Sequence, residues 1–231
     1  MSAEIQIPTI NTSHQASKWL SSLTPKQRYS KAKDRLTHIK PILKDLIIHE
    51  GNHQRVAYST NHALNILNLP EAISFSALQL SLVSYSVVRI TALWDKAKED
   101  RASIPTILAL ILHEPTLELI RAARGFADIA DTVTKVSTIH TDYKKTADSS
   151  SLERFVAYRD RFVAHNLIDL PQKGSPLYGE ETILMRETVN TIAALEEFVL
   201  GTTNMEEYQL THDEAWMASE TLWKGVYSKK G

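Results

Sequence analysis

The sequence contains no cysteine among its 231 residues. This absence excludes disulfide bridges, thiolate zinc sites and cysteine nucleophiles. Glycine and proline are also few, with 7 and 8 residues, and the alternation of apolar and polar residues that is typical of strands is scarce. Because the signals of turns and strands are weak, the sequence predicts an all-α fold.

Neither sign of charge dominates, since 26 Lys and Arg residues stand against 27 Asp and Glu residues and the formal net charge is -1. No global field therefore attracts the chain to nucleic acid or to an anionic membrane, so a polyanion site has to be a local patch. The first residues, "MSAEIQIPTINTSHQ", lack the basic and apolar regions of a signal peptide. We expect a cytoplasmic protein without a membrane partner.

The chain is expected to begin with a polar, partly ordered lead-in over residues 1–24, followed by a single helical domain over 25–231. Thr24 and Pro25 predict a helix start, and Pro41 is expected to interrupt or restart that helix. The simplest architecture is an up-and-down helical bundle with peripheral N- and C-terminal helices.

Three later segments also carry helical patterns. The stretch "EAISFSALQLSLVSYSVVRITALWDKAKED" has apolar residues around most of the helical wheel, which predicts a central helix. It is an unconvincing membrane span, because Gln79 and Arg89 interrupt it. A long amphipathic helix is expected over about 116–143, with Gly125 as its weak point. A helix over "EETILMRETVNTIAALEEFVL" is expected to end at Gly201.

An arginine lies within an apolar helix face near the middle of the sequence. On a helix of 3.6 residues per turn, Arg159 falls at the centre of a face that also carries Asn166. The apolar members of this face are Leu152, Phe155, Val156, Phe162 and Val163. A buried guanidinium needs a partner, a wet cleft or an interface. A carboxylate partner from a neighbouring helix, or a position along the bundle surface with its methylenes buried, would make Arg159 structural.

The segment "RDRFVAHN" places the polar Asp160 after Arg159 and His165 six positions after Arg159. It resembles the HEPN superfamily (higher eukaryotes and prokaryotes nucleotide-binding), whose members carry an arginine, often followed by a polar residue, and then a histidine after four to six positions. The abortive-infection-type branch also has a segment similar to "VVRITALWDKAKEDRASIPTIL" before this motif. The resemblance covers about residues 70–200. Spacing alone is less specific, because Arg55 and His62 make a similar pair.

The resemblance implies a HEPN-type helical bundle, usually dimeric, in which the Arg and His of two protomers converge. Many members are metal-independent endoribonucleases that act as toxins or phage-defence effectors, and others only bind. Carried over, Arg159 and His165 are the catalytic candidates, and Asp160 and Asn166 support them. Arginine offers fixed donors to a phosphate, and histidine exchanges protons near neutral pH. Such cleavage uses no cofactor and leaves a 2′,3′-cyclic phosphate.

Further residues extend this prediction. Arg154 and Arg161 would supply a local basic patch for RNA, and Arg89 and Asp95 would support the site. The expected partners are RNA, a second copy of the chain, and an antitoxin or regulatory protein. A related subgroup carries a tyrosine two residues after the histidine, where nucleotidyl modification silences the protein; Leu167 stands there in this chain, so that control is not expected. The alternative is a catalytically inactive HEPN protein that binds or regulates.

A second motif, "HEGNH", matches the zinc-protease pattern HExxH through His49, Glu50 and His53. Gly51 is a poor residue within a ligand-bearing helix, and the two residues that follow the motif are polar. Glu71 is a conceivable third ligand. We expect a polar helix face here and no metal, which leaves a zinc hydrolase as the third alternative.

Overall fold

The computed structural model describes residues 6–59, 64–66, 69–163, 176–177 and 179–228, without the side chains of 56–58, 162–163 and 227. Within these ranges the regular structure is helical and no strand occurs, which confirms the predicted all-α class. The helices are α1 (His14–Ser21), α2 (Pro25–Tyr58), α3 (Ala72–Leu93), α4 (Ile104–Ile111), α5 (Glu114–Arg124), α6 (Ile129–Ala147), α7 (Ser150–Tyr158), α8 (Glu180–Leu200) and α9 (Met205–Ser228). A π-helical turn, Arg159–Val163, directly follows α7.

The chain divides into two compact units. The first comprises residues 1–41, 92–149 and 187–204, and the second comprises residues 42–91, 150–186 and 205–231. Helices α2, α3 and α8 each contribute residues to both units. The residues that matter for the predicted RNA site, from Arg154 to Arg161, belong to the second unit.

The first unit has α4 at its centre, because every residue of this helix is buried. The sequence "IPTILALI" is apolar around the whole wheel, so α4 needs neighbours on all sides. Ser103 caps the helix by accepting a hydrogen bond from the backbone N–H of Thr106, and Pro105 lies in the first turn.

Two sequence predictions in the first unit are wrong. Helix α2 continues through Pro41 instead of breaking there, although a proline removes one backbone hydrogen bond of the helix. The expected helix over 116–143 is two helices, because Gly125 adopts a left-handed conformation with φ 68° and ends α5. Asp128 then starts α6 by accepting a hydrogen bond from the backbone N–H of Asp131.

The second unit packs α2 closely against α9. A Cβ added at Gly51 would lie 2.7 Å from the carbonyl oxygen of His212, so glycine is the residue that allows this approach. A second apolar cluster joins α3 to the C-terminal part of α9, where the rings of Phe75 and Trp223 meet edge to face at 4.8 Å. Ile66 and Leu82 complete the buried part of that cluster.

Helix α3 is more exposed than its composition predicted. Only 28% of its most apolar 18-residue stretch is buried, and Ile73 and Leu80 are 81% and 62% exposed. Helix α3 is long and apolar enough to cross a membrane by length and composition alone. Core helices of soluble proteins pass the same test, so α3 does not by itself indicate a membrane protein. The expectation of a fully central helix is therefore wrong for its first half.

Candidate functional site

The motif arginine begins the π-helical turn that follows α7. Leu152 and Phe155 are buried on α7 and fix its inner face, as the apolar stripe predicted. A π-helical turn is wider than an α-helical one and is frequent at functional sites. Arg159 therefore lies where the packed α-helix changes into a π-helical turn.

Arg159 pairs with the residue beside it. Its Nε donates a hydrogen bond to Oδ1 of Asp160 at 2.8 Å. The Arg159 side chain is 21% exposed and the Asp160 side chain is 55% exposed, so this ion pair lies at the surface and not in the core. Asp160 thus contacts the guanidinium, and its supporting role in a site stays a prediction.

Arg154, predicted to contact RNA, is engaged by a carboxylate within the protein. Its Nε donates to Glu180 Oε2 at 3.1 Å and its Nη2 donates to Glu180 Oε1. Ser151 Oγ and the backbone N–H of Leu177 donate to the same carboxylate at 2.6 and 2.7 Å. These donors, the Arg154 guanidinium above all, lower the pKa of Glu180 to about 2. Arg161 is exposed on the π-helical turn.

His165 and Asn166 lie outside the described residues, as does Leu167. The predicted catalytic pair is therefore described only through Arg159. Asp160 is the one supporting residue of the motif whose geometry is described.

The two residues expected to support the site, Arg89 on α3 and Asp95 just after its end, have separate partners. The guanidinium of Arg89 lies 5.2 Å from the ring centroid of Tyr85 in the second unit. Asp95 belongs to the first unit and accepts a hydrogen bond from Arg101. Their predicted role stays a prediction.

The HEGNH segment lies on α2, and its first histidine has an aromatic environment. The ring of His49 stacks on Tyr85 with centroids 3.9 Å apart. Burial lowers the pKa of His49, and the charge of Asp45 partly opposes that shift. Its Nδ1 has no hydrogen-bond partner among the residues the structure describes. A neutral, stacked imidazole accounts for this position without a metal.

The other two residues of the segment are buried beside the start of α8. Glu50 Oε1 accepts hydrogen bonds from Gln54 Nε2 at 3.1 Å and from Thr182 Oγ1 at 2.7 Å. His53 Nδ1 lies 3.8 Å from Glu181 Oε1. Burial lowers the pKa of His53 and raises that of Glu181, and the charge of Glu50 raises the latter further.

These residues do not assemble a metal centre. Over the described ranges, no group of three or more histidine and carboxylate side chains has a geometry that holds a metal ion. Glu71, the conceivable third ligand, lies in those ranges too. The expected exposed polar face is wrong for Glu50 and His53, because both are buried. Their polar atoms instead join α2 to the start of α8 within the second unit.

A surface depression above this buried cluster was missed by sequence reasoning. Its lining residues come from three separate stretches of the second unit: Gln54, Arg55, Gly179, Thr182 and Trp216. Helical spacing puts no two of these stretches together, so their juxtaposition follows from tertiary packing alone. Among the tryptophans, Trp216 is the partly exposed one, whereas Trp19, Trp94 and Trp223 are buried. The sequence pattern does not distinguish it from the other three.

No protein-family model, curated protein or solved structure matches the chain. The likeness to the HEPN superfamily therefore depends on the sequence alone: the segment "VVRITALWDKAKEDRASIPTIL" and the motif residues Arg159, Asp160 and His165. The first two of these motif residues are described, and they form an ion pair at the surface of the second unit.

Proposed function

We propose that the chain is a metal-independent endoribonuclease of a toxin or phage-defence type, acting in the cytoplasm as a HEPN-like homodimer. The observation that carries the proposal is the position of Arg159: it starts a π-helical turn at the protein surface and is held by its exposed neighbour Asp160. The Arg159 side chain is 21% exposed at this position, and a guanidinium has planar donors that match a phosphate group.

The chemistry follows from the two motif side chains. The Arg159 guanidinium stabilises the negative charge that grows on the scissile phosphate in the transition state. His165 takes the proton of the ribose 2′-hydroxyl or gives one to the leaving 5′-oxygen, since imidazole exchanges protons near neutral pH. Attack by the 2′-oxygen leaves a 2′,3′-cyclic phosphate, so DNA, which lacks that hydroxyl, is not cleaved.

A second copy of the chain completes the proposed site. On a regular helix, residues six positions apart point in directions about a third of a turn away from each other. One protomer with helical geometry would therefore separate Arg159 from His165, and the partner would supply the complementary residue. An antitoxin or regulatory protein would act by covering this interface.

The second candidate is an inactive HEPN protein that binds RNA or a regulator. The engagement of Arg154 by Glu180 favours it, because a guanidinium bound at two nitrogens by a carboxylate is withdrawn from the basic patch that RNA cleavage would use. This candidate requires the same surface but no proton transfer by His165.

The test is cleavage of a mixed RNA pool in EDTA by the wild-type chain and by His165→Ala and Arg159→Ala, with the product ends mapped. We expect 2′,3′-cyclic phosphate ends and a loss of about 10²-fold or more in either variant. His38→Ala and Arg121→Gln remove a solvent-accessible histidine and arginine outside the motif and should cleave normally. Undiminished cleavage by His165→Ala would overturn the mechanism. RNA retention without cleavage by folded wild type would favour the binding protein.

A further inference from the structure

A surface depression of about 460 Å³ lies over the Glu50 cluster in the second unit. Gln54 and Arg55 come from α2, Thr182 from the first turn of α8, and Trp216 from α9. Gly179 borders it with φ +86°, and a Cβ there would meet no atom within 4 Å. The backbone wall is therefore open to a ligand.

One side of the depression is a flat cationic and aromatic platform. The guanidinium carbon of Arg55 lies 4.5 Å from the ring centroid of Trp216. Glu220 accepts a hydrogen bond from Arg55 Nε and so fixes the guanidinium on the indole. Stacked guanidinium and indole planes are the surfaces on which unpaired nucleobases stack in RNA-binding proteins.

The polar floor presents two hydrogen-bond acceptors and one donor. The Thr182 hydroxyl and one N–H of the Gln54 amide donate to the buried Glu50 carboxylate, at 2.7 and 3.1 Å. What remains for a ligand is the amide oxygen and the second N–H of Gln54 and the lone pairs of Thr182 Oγ1. A ligand that matches this floor brings two donors and one acceptor.

Charge also limits what enters. Glu220 lies at the platform, where it pairs with both Arg55 and Lys224, and Glu50 lies beneath the floor. The two carboxylates balance the two cations, so no net positive charge remains to attract a phosphate. A neutral planar group requires none. The matching ligand is an uncharged heterocycle with an exocyclic amino group.

We infer that the depression binds an adenine or cytosine base of single-stranded RNA. The base stacks on the Arg55 and Trp216 platform. Its amino group donates hydrogen bonds to Gln54 Oε1 and Thr182 Oγ1, and the neighbouring ring nitrogen accepts one from the second N–H of Gln54. Uracil has a carbonyl oxygen in place of the amino group, and that oxygen would face the Thr182 acceptor. RNA as the source of the base rests on the proposed ribonuclease function, whereas recognition of the base does not.

The test is titration of the chain with AMP, CMP and UMP while tryptophan fluorescence is followed. A ligand in the depression reaches Trp216, which is partly exposed, whereas Trp19, Trp94 and Trp223 are buried. We expect saturable quenching by AMP and CMP. UMP should bind with a dissociation constant about fivefold higher or more, because one hydrogen bond is mismatched. Equal affinity for AMP and UMP, or no saturable quenching, would overturn the inference.

Variants locate the site. Trp216→Leu should abolish the quenching, and Thr182→Val, which keeps the shape but removes the acceptor, should weaken AMP binding about fivefold and reduce its preference over UMP. Thr221→Val is the matched control, because Thr221 is exposed and does not line the depression. Its hydroxyl donates to the carbonyl of Met217 at 2.9 Å. AMP binding unchanged in folded Thr182→Val would refute the assigned floor.

A final comparison separates the base site from the ribonuclease. The His165→Ala chain should still bind AMP, because the depression does not include that residue. Oligoadenylate should bind more tightly than AMP; equal binding would show a free-nucleotide site and overturn RNA as the source. AMP binding by a chain that cleaves no RNA would leave base recognition standing while the ribonuclease proposal fails.

Discussion

Replacing Glu180 with glutamine should destabilise the second unit and make its stability less dependent on pH. The Glu180 carboxylate accepts hydrogen bonds from Arg154, from Ser151 Oγ at 2.6 Å and from the backbone N–H of Leu177 at 2.7 Å. It thereby ties the first turn of α8 to α7, the helix that leads to Arg159. Glutamine keeps the size of the side chain but removes its charge and one acceptor oxygen.

The magnitude follows from the pKa of Glu180, which is about 2 in the folded chain against an ordinary value of 4.5. At 1.36 kcal/mol per pH unit, this difference sets a ceiling of ~3.4 kcal/mol. Glu180 is buried but its partner Arg154 is partly exposed, so screening by solvent at the guanidinium reduces the expected contribution to about 1–2 kcal/mol. Because the folded pKa is the lower one, the contribution is complete above pH 4.5 and is lost as the pH falls toward 2.

Urea unfolding followed by circular dichroism at pH 7, 4 and 2.5 measures this effect. The wild-type chain should exceed Glu180→Gln by about 1–2 kcal/mol at pH 7, and the gap should narrow at each lower pH. Glu214→Gln makes the same chemical change at an exposed position of α9 and should match the wild type. A gap that stays constant with pH would refute the electrostatic origin, and an equal loss in Glu214→Gln would refute the role of this carboxylate.

Two further predictions concern helix ends in the first unit. Gly201→Ala should lower the free energy of unfolding by about 1–2 kcal/mol, because φ is +85° and the new Cβ would meet the Arg124 guanidinium. Gly225→Ala lies in open space within α9 and should instead raise the free energy of unfolding by up to about 1 kcal/mol. Thermal unfolding of both variants tests the contrast, and equal shifts would contradict it. Asp128→Ala should lower the free energy of unfolding by about 1 kcal/mol, because it removes the α6 cap. Asp142→Ala, at an exposed position within the same helix, is the control, and a similar loss there would disprove the capping account.

Features that depend on neighbouring residues could be predicted from the sequence. Thr24 and Gln27 exchange hydrogen bonds at the start of α2, with Gln27 N–H donating to Thr24 Oγ1 at 3.3 Å. Ser103 caps α4, and Gly201 follows the end of α8 with φ 85°. Each of these features joins residues within one helical turn, so the local pattern contains all that determines it.

The remaining features depend on residues far apart in the sequence. Glu50 and Thr182 are separated by 132 positions, and Arg154 and Glu180 by 26. No periodicity connects such pairs, so neither the buried cluster under HEGNH nor the partner of Arg154 was foreseen. Composition likewise overestimated the burial of α3, because a helical wheel shows which residues are apolar and not which neighbours cover them.

The two motif-region arginines differ in what a phosphate would have to displace. Arg154 is bound at two nitrogens by a carboxylate that also accepts hydrogen bonds from Ser151 and Leu177, so withdrawing Glu180 would leave several donors unsatisfied. Arg159 is paired through Nε with an exposed neighbour, and exposed pairs of this kind contribute only about 0–1 kcal/mol. Of these two ion pairs, the one with Asp160 is therefore the less costly for a phosphate to replace, and the one with Glu180 holds α7 to the start of α8.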